Sequence, residues 1–267
     1  MEIWQSIILG LIQGITEFVP VSSSGHLEIF QYFFMSDQSE NFHMFVEFIN
    51  LGTLVALIIY FRKRIKQILI DVFVKHKYTF ALKIIITCIP AGLAGFLLAH
   101  LIEEADFFSS IITIASAMGI VGIIMMIVDK LPHASKLKDE TQLSFPRAIA
   151  IGVAQVFALV PGTSRSGTTM IAGRLCGLDN KHAANYSFLV SIPIMCGVCL
   201  KMLLSSENRE YLFANFGSLA IANLAAFVAG ALAVTLVMRY LAKPQSLHNF
   251  GIYRVIVASI VLILALI

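Results

Sequence analysis

The sequence predicts an all-α integral membrane protein with six transmembrane helices plus two re-entrant helix pairs, arranged as an inverted-topology repeat. Three observations lead there. Of the 267 residues, 58% are hydrophobic and only 13% are charged, whereas soluble domains run at roughly 45–50% and about 25%. Six stretches are apolar for about 20 residues, the length a spanning helix needs. Two further apolar regions are interrupted by Pro, Gly and clustered hydroxyls, and those two regions resemble each other. The first residues lack the basic leader of a cleaved signal, so the N-terminal segment is read as part of the mature fold. The whole chain, 1–267, is expected to form a single membrane domain, with repeat 1 over about 1–128 and repeat 2 over about 146–267.

The spans fall at about 43–61, 80–102, 108–128, 184–204, 217–238 and 251–267. The first ends at "FRKRIKQ", the third at "DKLPHASKLKDE" and the fifth at "MRYLAKPQSLH". These loops carry most of the Lys and Arg, which the positive-inside rule places in the cytoplasm. "HLIEEADFFSS" and "SSENREYLF" are acidic or balanced and fall on the opposite side. The four cysteines, Cys88, Cys176, Cys196 and Cys199, all lie in or beside apolar segments. They read as small buried hydrophobes, without a disulfide framework or a structural metal.

The two interrupted regions are 1–34 and 146–178. A single crossing by each would upset the alternation fixed by the basic loops, whereas entry and return on the same side preserves it. Irregular backbone at membrane depth is tolerated where it borders protein or a wet cavity. "GLIQGITEFVPVSSSGH" laid over "GVAQVFALVPGTSRSGT" matches Gly10 with Gly152, Gln13 with Gln155 and Gly25 with Gly167, with Pro20 and Pro161 one position out of register. Three spans follow each region, and an odd number reverses direction. The second copy is therefore upside down, a design in which broken helices meet near the midplane and build the site.

The polar residues at the breaks suggest the ligand. A charge at the bilayer centre costs about 2.5–3.5 kcal/mol on the lenient insertion scale, so Glu17 and Arg165 are expected to face each other or a polar ligand. Both breaks read as a turn running into a helix start, where free N–H groups and the macrodipole favour phosphate. Gly25 and Gly167 allow close backbone approach. Ser22, Ser23 and Ser24 in one break, with Ser164, Ser166, Thr168 and Thr169 in the other, add hydroxyls, some of which cap helices instead. Arg165 offers a planar fork to phosphate oxygens. Gln13 and Glu17, at i and i+4, share a helix face. A carboxylate with an amide carbonyl suits a hard divalent ion completed by substrate phosphates; Glu17 orienting His26 is the alternative. His26 is a candidate for acid–base work or direct attack, and Ser23 is the competing nucleophile.

"QGITEFVPVSSSGH" with "PGTSRSGTT" resembles the undecaprenyl-diphosphate phosphatases of the bacitracin-resistance (BacA/UppP) type, in their [E/Q]xxxE, PVSSxGH and PGxSRSGxT elements. "INLGTLVAL", "YSFLVSIPIM" and "IYR" (Ile252–Arg254) extend the likeness over nearly the whole chain. The resemblance implies hydrolysis of a C55 polyprenyl diphosphate to its monophosphate, which recycles the lipid carrier for cell-wall synthesis and confers bacitracin resistance. It also implies a divalent cation, Mg²⁺ or Ca²⁺, and a multi-pass protein of the bacterial inner membrane whose active site faces the periplasm. By position, Gln13 and Glu17 match the acidic motif, Ser23 and His26 the nucleophile/base element, and Arg165 the phosphate clamp, with Ser164, Ser166 and Thr169 in the same motif. Gln13 stands where many members carry Glu, which leaves a metal site one formal charge short, and Asn50 stands where some carry Gln. The rival reading is a polyprenyl-phosphate flippase or secondary transporter, alone or combined with hydrolysis, since inverted repeats also serve transport. The expected partners are the lipid substrate and the bilayer, with no nucleic acid; a homodimer is an assembly open to such a chain.

Overall fold

The computed structural model describes residues 2–35, 40–104, 108, 110–131, 137–243 and 245–267. Among these residues the chain forms eleven α-helices. In chain order they are α1 (Ile3–Phe18), α2 (Ser23–Phe34), α3 (Glu40–Phe73), α4 (Thr79–Glu104), α5 (Ile111–Lys130), α6 (Phe145–Val156), α7 (Arg165–Leu175), α8 (Asn180–Leu204), α9 (Ser206–Ala214), α10 (Phe216–Tyr240) and α11 (Ser246–Leu266). A 3₁₀ turn, Glu140–Gln142, precedes α6, and a second, Phe157–Leu159, extends it. Six helices are long and apolar enough to cross a membrane: α3, α4, α5, α8, α10 and α11. These are the six stretches expected from hydropathy. Parts of the loops "HLIEEADFFSS" and "DKLPHASKLKDE" lie outside the described residues.

One boundary differs from expectation. The first span was expected to stop at the basic stretch, yet α3 continues to Phe73. Partners on and beyond the helix meet part of this stretch: Gln67 and, past the helix end, Lys75 reach Asp71 at 2.9 Å, and Arg64 donates to Glu140, before α6, at 3.0 Å. Long basic side chains extend from a helix end into water without ending the helix.

The two interrupted regions form the helix–turn–helix units α1–α2 and α6–α7. α1 lies along α10, and α6 lies along α4. Both contacts depend on glycine. A Cβ at Gly10 would meet the Ala222 carbonyl at 2.3 Å, and one at Gly152 would meet the Thr87 carbonyl at 2.6 Å. Thr87 secures the second contact: its Oγ1 lies 3.0 Å from the Ala148 carbonyl and 2.7 Å from the Tyr186 hydroxyl. α5 pairs with α11, α3 with α10 and α8, and α4 with α8. Phe18 of α1 and Phe188 of α8 meet edge-to-face, 5.7 Å apart, at the centre of the main apolar core. That core fixes how closely the two interrupted units approach.

Candidate active site

The site begins with two strained serines. Ser22 has φ 78° and Ser164 has φ 74°, a left-handed conformation that costs a non-glycine residue about 1–3 kcal/mol. Each sits immediately before a helix and caps it. Ser22 Oγ accepts from the Gly25 N–H at 3.3 Å, and Ser164 Oγ accepts from the Gly167 N–H at 3.1 Å. The turns aim α2 and α7, N-termini first, at one shared cavity. The N–H groups of Ser23, Ser24, Arg165 and Ser166 occupy the first two positions of these helices and have no intrahelical acceptor.

A residue that the family likeness includes, but to which motif reasoning gave no role, holds the turns together. Arg254 of α11 is fully buried, with 0% exposure. Its Nε donates to the Met118 carbonyl (3.1 Å), Nη1 to Pro20 (3.2 Å), and Nη2 to Gly162 (2.7 Å) and Thr163 (3.1 Å). One guanidinium thereby joins both turns, which are far apart in sequence. Gly162 has φ 89°, and a Cβ there would lie 2.3 Å from the Ile114 carbonyl, so glycine alone fits. The available signal was a lone arginine in an apolar span, which rarely occurs without a role.

The cavity between the turns holds about 220 Å³ and is lined by Ser22, Ser23 and Ser24 from one turn and Ser164, Arg165 and Ser166 from the other. Glu17 stands between them. Its Oε2 accepts from Ser23 Oγ at 2.6 Å and from Gln13 Nε2 at 3.1 Å, while Oε1 is hydrogen-bonded by Arg165 Nη2. Gln13 Nε2 also donates to Asn50 Oδ1 at 2.7 Å, and Asn50 lines the cavity. The ion pair is neutral overall, so the positive ends of two helices give the cavity its preference for an anion. The serine–carboxylate hydrogen bond is the arrangement that lets a base draw a proton from an alcohol.

The remaining expected residues sit behind this lining. Gly25 and Gly167 donate their N–H groups to the caps. Thr168 Oγ1 reaches the Ser164 carbonyl at 2.8 Å; Thr169 Oγ1 reaches the Arg165 carbonyl at 2.8 Å and Ser187 Oγ at 2.6 Å. Both threonines buttress the start of α7. His26 is not among the residues that line the cavity. Its Nδ1 donates to the Ser22 carbonyl at 2.7 Å, since a carbonyl can only accept. Its Nε2 lies 2.9 Å from the Tyr253 hydroxyl, with the two rings stacked at 5.7 Å. Gln155, matched in sequence with Gln13, is buried with neither amide atom hydrogen-bonded among the described residues.

A divalent cation finds oxygen donors only. Among the described residues, no three His, Cys, Asp or Glu side chains gather into a metal cage. The Glu17 carboxylate and the Asn50 amide oxygen are hard donors suited to an ion that keeps waters and takes phosphate oxygens as ligands, whereas Gln13 turns its Nε2 toward both and would offer its carbonyl only with the amide reversed. This donor set fits Mg²⁺ or Ca²⁺ in the presence of a phosphate ligand.

The family profile described as bacitracin resistance protein BacA matches residues 6–260. Relatives named undecaprenyl-diphosphatase align over almost the entire chain. One from Gemmatimonas aurantiaca is 38% identical, covering 98% of this chain and 97% of its own length. One from Thermosipho africanus is 37% identical, covering 95% and 97%. Undecaprenyl-diphosphatase 1 of Clostridioides difficile is 36% identical, covering 98% and 96%.

Proposed function

The chain belongs to the bacitracin resistance protein BacA family, and on that premise we propose that it hydrolyses undecaprenyl diphosphate to undecaprenyl phosphate and inorganic phosphate. This activity returns the lipid carrier to cell-wall synthesis and opposes bacitracin. The observation that carries the reading is the Ser23–Glu17–Arg165 network, drawn from both turns into one cavity beneath two helix N-termini.

The chemistry follows from that network. An arriving diphosphate draws the Arg165 guanidinium from Glu17 onto its oxygens, where the planar fork grips two at once. Glu17, no longer neutralised, is then the stronger base toward Ser23, whose hydroxyl it already accepts at 2.6 Å. Ser23 Oγ attacks the terminal phosphorus and its proton passes to Glu17. The anhydride P–O bond breaks, and undecaprenyl phosphate leaves with the bonding electrons. Water then displaces the phosphoryl group from Ser23: Glu17 returns its proton to the serine oxygen, takes one from the water, and releases it to solvent to restore the carboxylate. Arg165 and the free N–H groups of α2 and α7 hold the charge that spreads over the phosphoryl oxygens. Glu17 and the Asn50 amide oxygen would hold a divalent cation, joined by Gln13 if its amide reversed, and the ion would further neutralise the diphosphate. His26 acts as a positioning residue, fixing the strained Ser22 carbonyl and with it the start of α2.

The inverted repeat and the re-entrant pairs belong to the same reading. The helices of the two interrupted units have 16, 12, 12 and 11 residues. At about 1.5 Å per residue, none reaches the roughly 30 Å of a hydrocarbon core. Exchanging the two halves converts the α1–α10 contact into α6–α4 and the α3–α10 contact into α8–α4, and it maps α5–α11 and α3–α8 onto themselves. Gly10 and Gly152 occupy corresponding contacts, and Ser22 and Ser164 corresponding caps. These exchanges support a two-fold relation between oppositely oriented halves. The cavity wall includes Asn50, twelve residues before Arg62, and Val198, near the far end of α8 from Lys181. Both positions lie toward the helix ends remote from the basic stretches. With the positive-inside rule, this supports a site facing the outer side of the inner membrane.

Phosphate release from purified protein on undecaprenyl or farnesyl diphosphate tests the assignment. Ser23→Ala and Arg165→Ala are each expected to lose at least about 100-fold in kcat, the scale for removing a group that acts on developing charge, while melting like the parent. Parent-like turnover by both variants would mean that the chemistry occurs elsewhere.

A further inference from the structure

We propose that a second cavity, at the basic end of the bundle, binds the phosphate headgroup of an anionic phospholipid. It lies between the end of α3, the start of α4 and the Glu140–Gln142 turn, and it encloses about 690 Å³. Arg64, Lys77 and Lys83 line it. The two carboxylates at its border already have cations of their own: Asp71 is bonded by Lys75 at 2.9 Å, and Glu140 by Arg64 at 3.0 Å. Among the described residues, no carboxylate lies within ion-pair distance of Lys77 or Lys83.

Lys83 makes this excess costly. It is only 7% exposed; its ammonium has one hydrogen-bond acceptor, the Thr141 carbonyl at 2.9 Å, and lies 5.8 Å over the Phe145 ring. An ammonium has three N–H donors, so two remain for a ligand, and a buried cation without an anion is destabilising. Arg64 adds an independent observation. Its guanidinium lies 5.1 Å over the Phe80 ring, and its buried Nε has no hydrogen-bond partner. A monoanionic phosphodiester between Arg64 and Lys83 would satisfy both groups.

The surroundings specify a lipid over a free ion. Tyr78 and Leu82, both in the cavity's lining, stand exposed at 49% and 45%, as a surface for acyl chains would require. The basic end of a membrane protein faces the leaflet that carries anionic lipids, and basic pockets between helices there suit such headgroups. The site is separate from the hydrolytic cavity, whose lining it does not share.

Native mass spectrometry of the purified full chain, with equal concentrations of phosphatidylglycerol and phosphatidylcholine, tests the proposal. Phosphatidylglycerol is expected to be retained at least about fivefold better, and Lys77→Gln and Lys83→Gln are each expected to lower that retention by about fivefold, the scale for one cation near a lipid surface. Lys201→Gln, at the opposite end of α8, serves as a control and should leave retention unchanged. Lys77 is exposed, so its variant remains informative if Lys83→Gln fails to fold; unchanged phosphate release confirms that each variant is intact. Equal retention of the two lipids overturns the proposal, as does parent-like phosphatidylglycerol retention by Lys77→Gln. Displacement of the lipid by an equal concentration of inorganic phosphate would identify an anion pocket and likewise overturn it.

Discussion

Arg254→Lys removes the clamp between the two turns while keeping the charge. The guanidinium makes four hydrogen bonds from three nitrogens, to Met118, Pro20, Gly162 and Thr163. A lysine ammonium is a single point and can serve one turn at a time, so at least two of the four bonds are lost. Hydrogen bonds to charged groups are worth about 1.5–3 kcal/mol each, and a buried carbonyl left unpaired costs about 1–3 kcal/mol. Relaxation and water entry offset part of this, leaving a net destabilisation of about 2–4 kcal/mol. Ser22 and Ser164 depend on the same clamp, because their strained conformations persist only while the surroundings enforce them. A displacement of about 1 Å between the turns would cost about 100-fold in rate. The assay is steady-state phosphate release with a thermal melt on the same preparation. The expected result is a lower Tm together with a kcat reduced about 100-fold at temperatures where the variant is fully folded. Arg254→Lys with parent kcat and Tm would refute the clamp.

Three further outcomes follow from the same geometry. Tyr253→Phe removes one hydrogen bond to His26 Nε2, worth about 0.5–1.5 kcal/mol, so kcat should fall less than about 15-fold. His26→Gln, which keeps a donor for the Ser22 carbonyl, should retain far more activity than Ser23→Ala; the reverse order, measured by phosphate release, would make the imidazole the reacting group. Gly152→Ala places a methyl 2.6 Å from the Thr87 carbonyl, and overpacking of this kind typically costs about 1–3 kcal/mol, readable as a lower Tm.

Much of this arrangement was legible because hydropathy and motif spacing carry it. Membrane helices must be long and apolar, which left the two interrupted regions as exceptions. A glutamate and an arginine placed in those interruptions had to find each other or a ligand, and they pair. What was missed depends on approach between distant segments. Arg254 acts on backbone carbonyls, which leave no side-chain pattern in the sequence. His26 follows the three serines closely, yet adjacency did not reveal that its ring stacks on Tyr253, 227 residues away. The continuation of α3 through a basic stretch was hidden because the same residues also mark a cytoplasmic loop. Gly25, Gly167, Thr168 and Thr169 sit in the right motifs, and in this structure their N–H and hydroxyl groups hydrogen-bond within the turns, along α7 and to Ser187. The symmetry of Gln13 and Gln155 in sequence is broken in space: one reaches Glu17 and Asn50, the other is buried without a partner among the described residues.

The most direct measurement is a rapid acid quench of the protein during turnover on a diphosphate labelled in its terminal phosphate, followed by peptide mass spectrometry. Phosphate on Ser23, absent in Ser23→Ala and reduced in Arg165→Ala, is the predicted result. Label on His26, or burst kinetics of lipid phosphate release with no labelled protein, would contradict attack by the serine on which the mechanism rests.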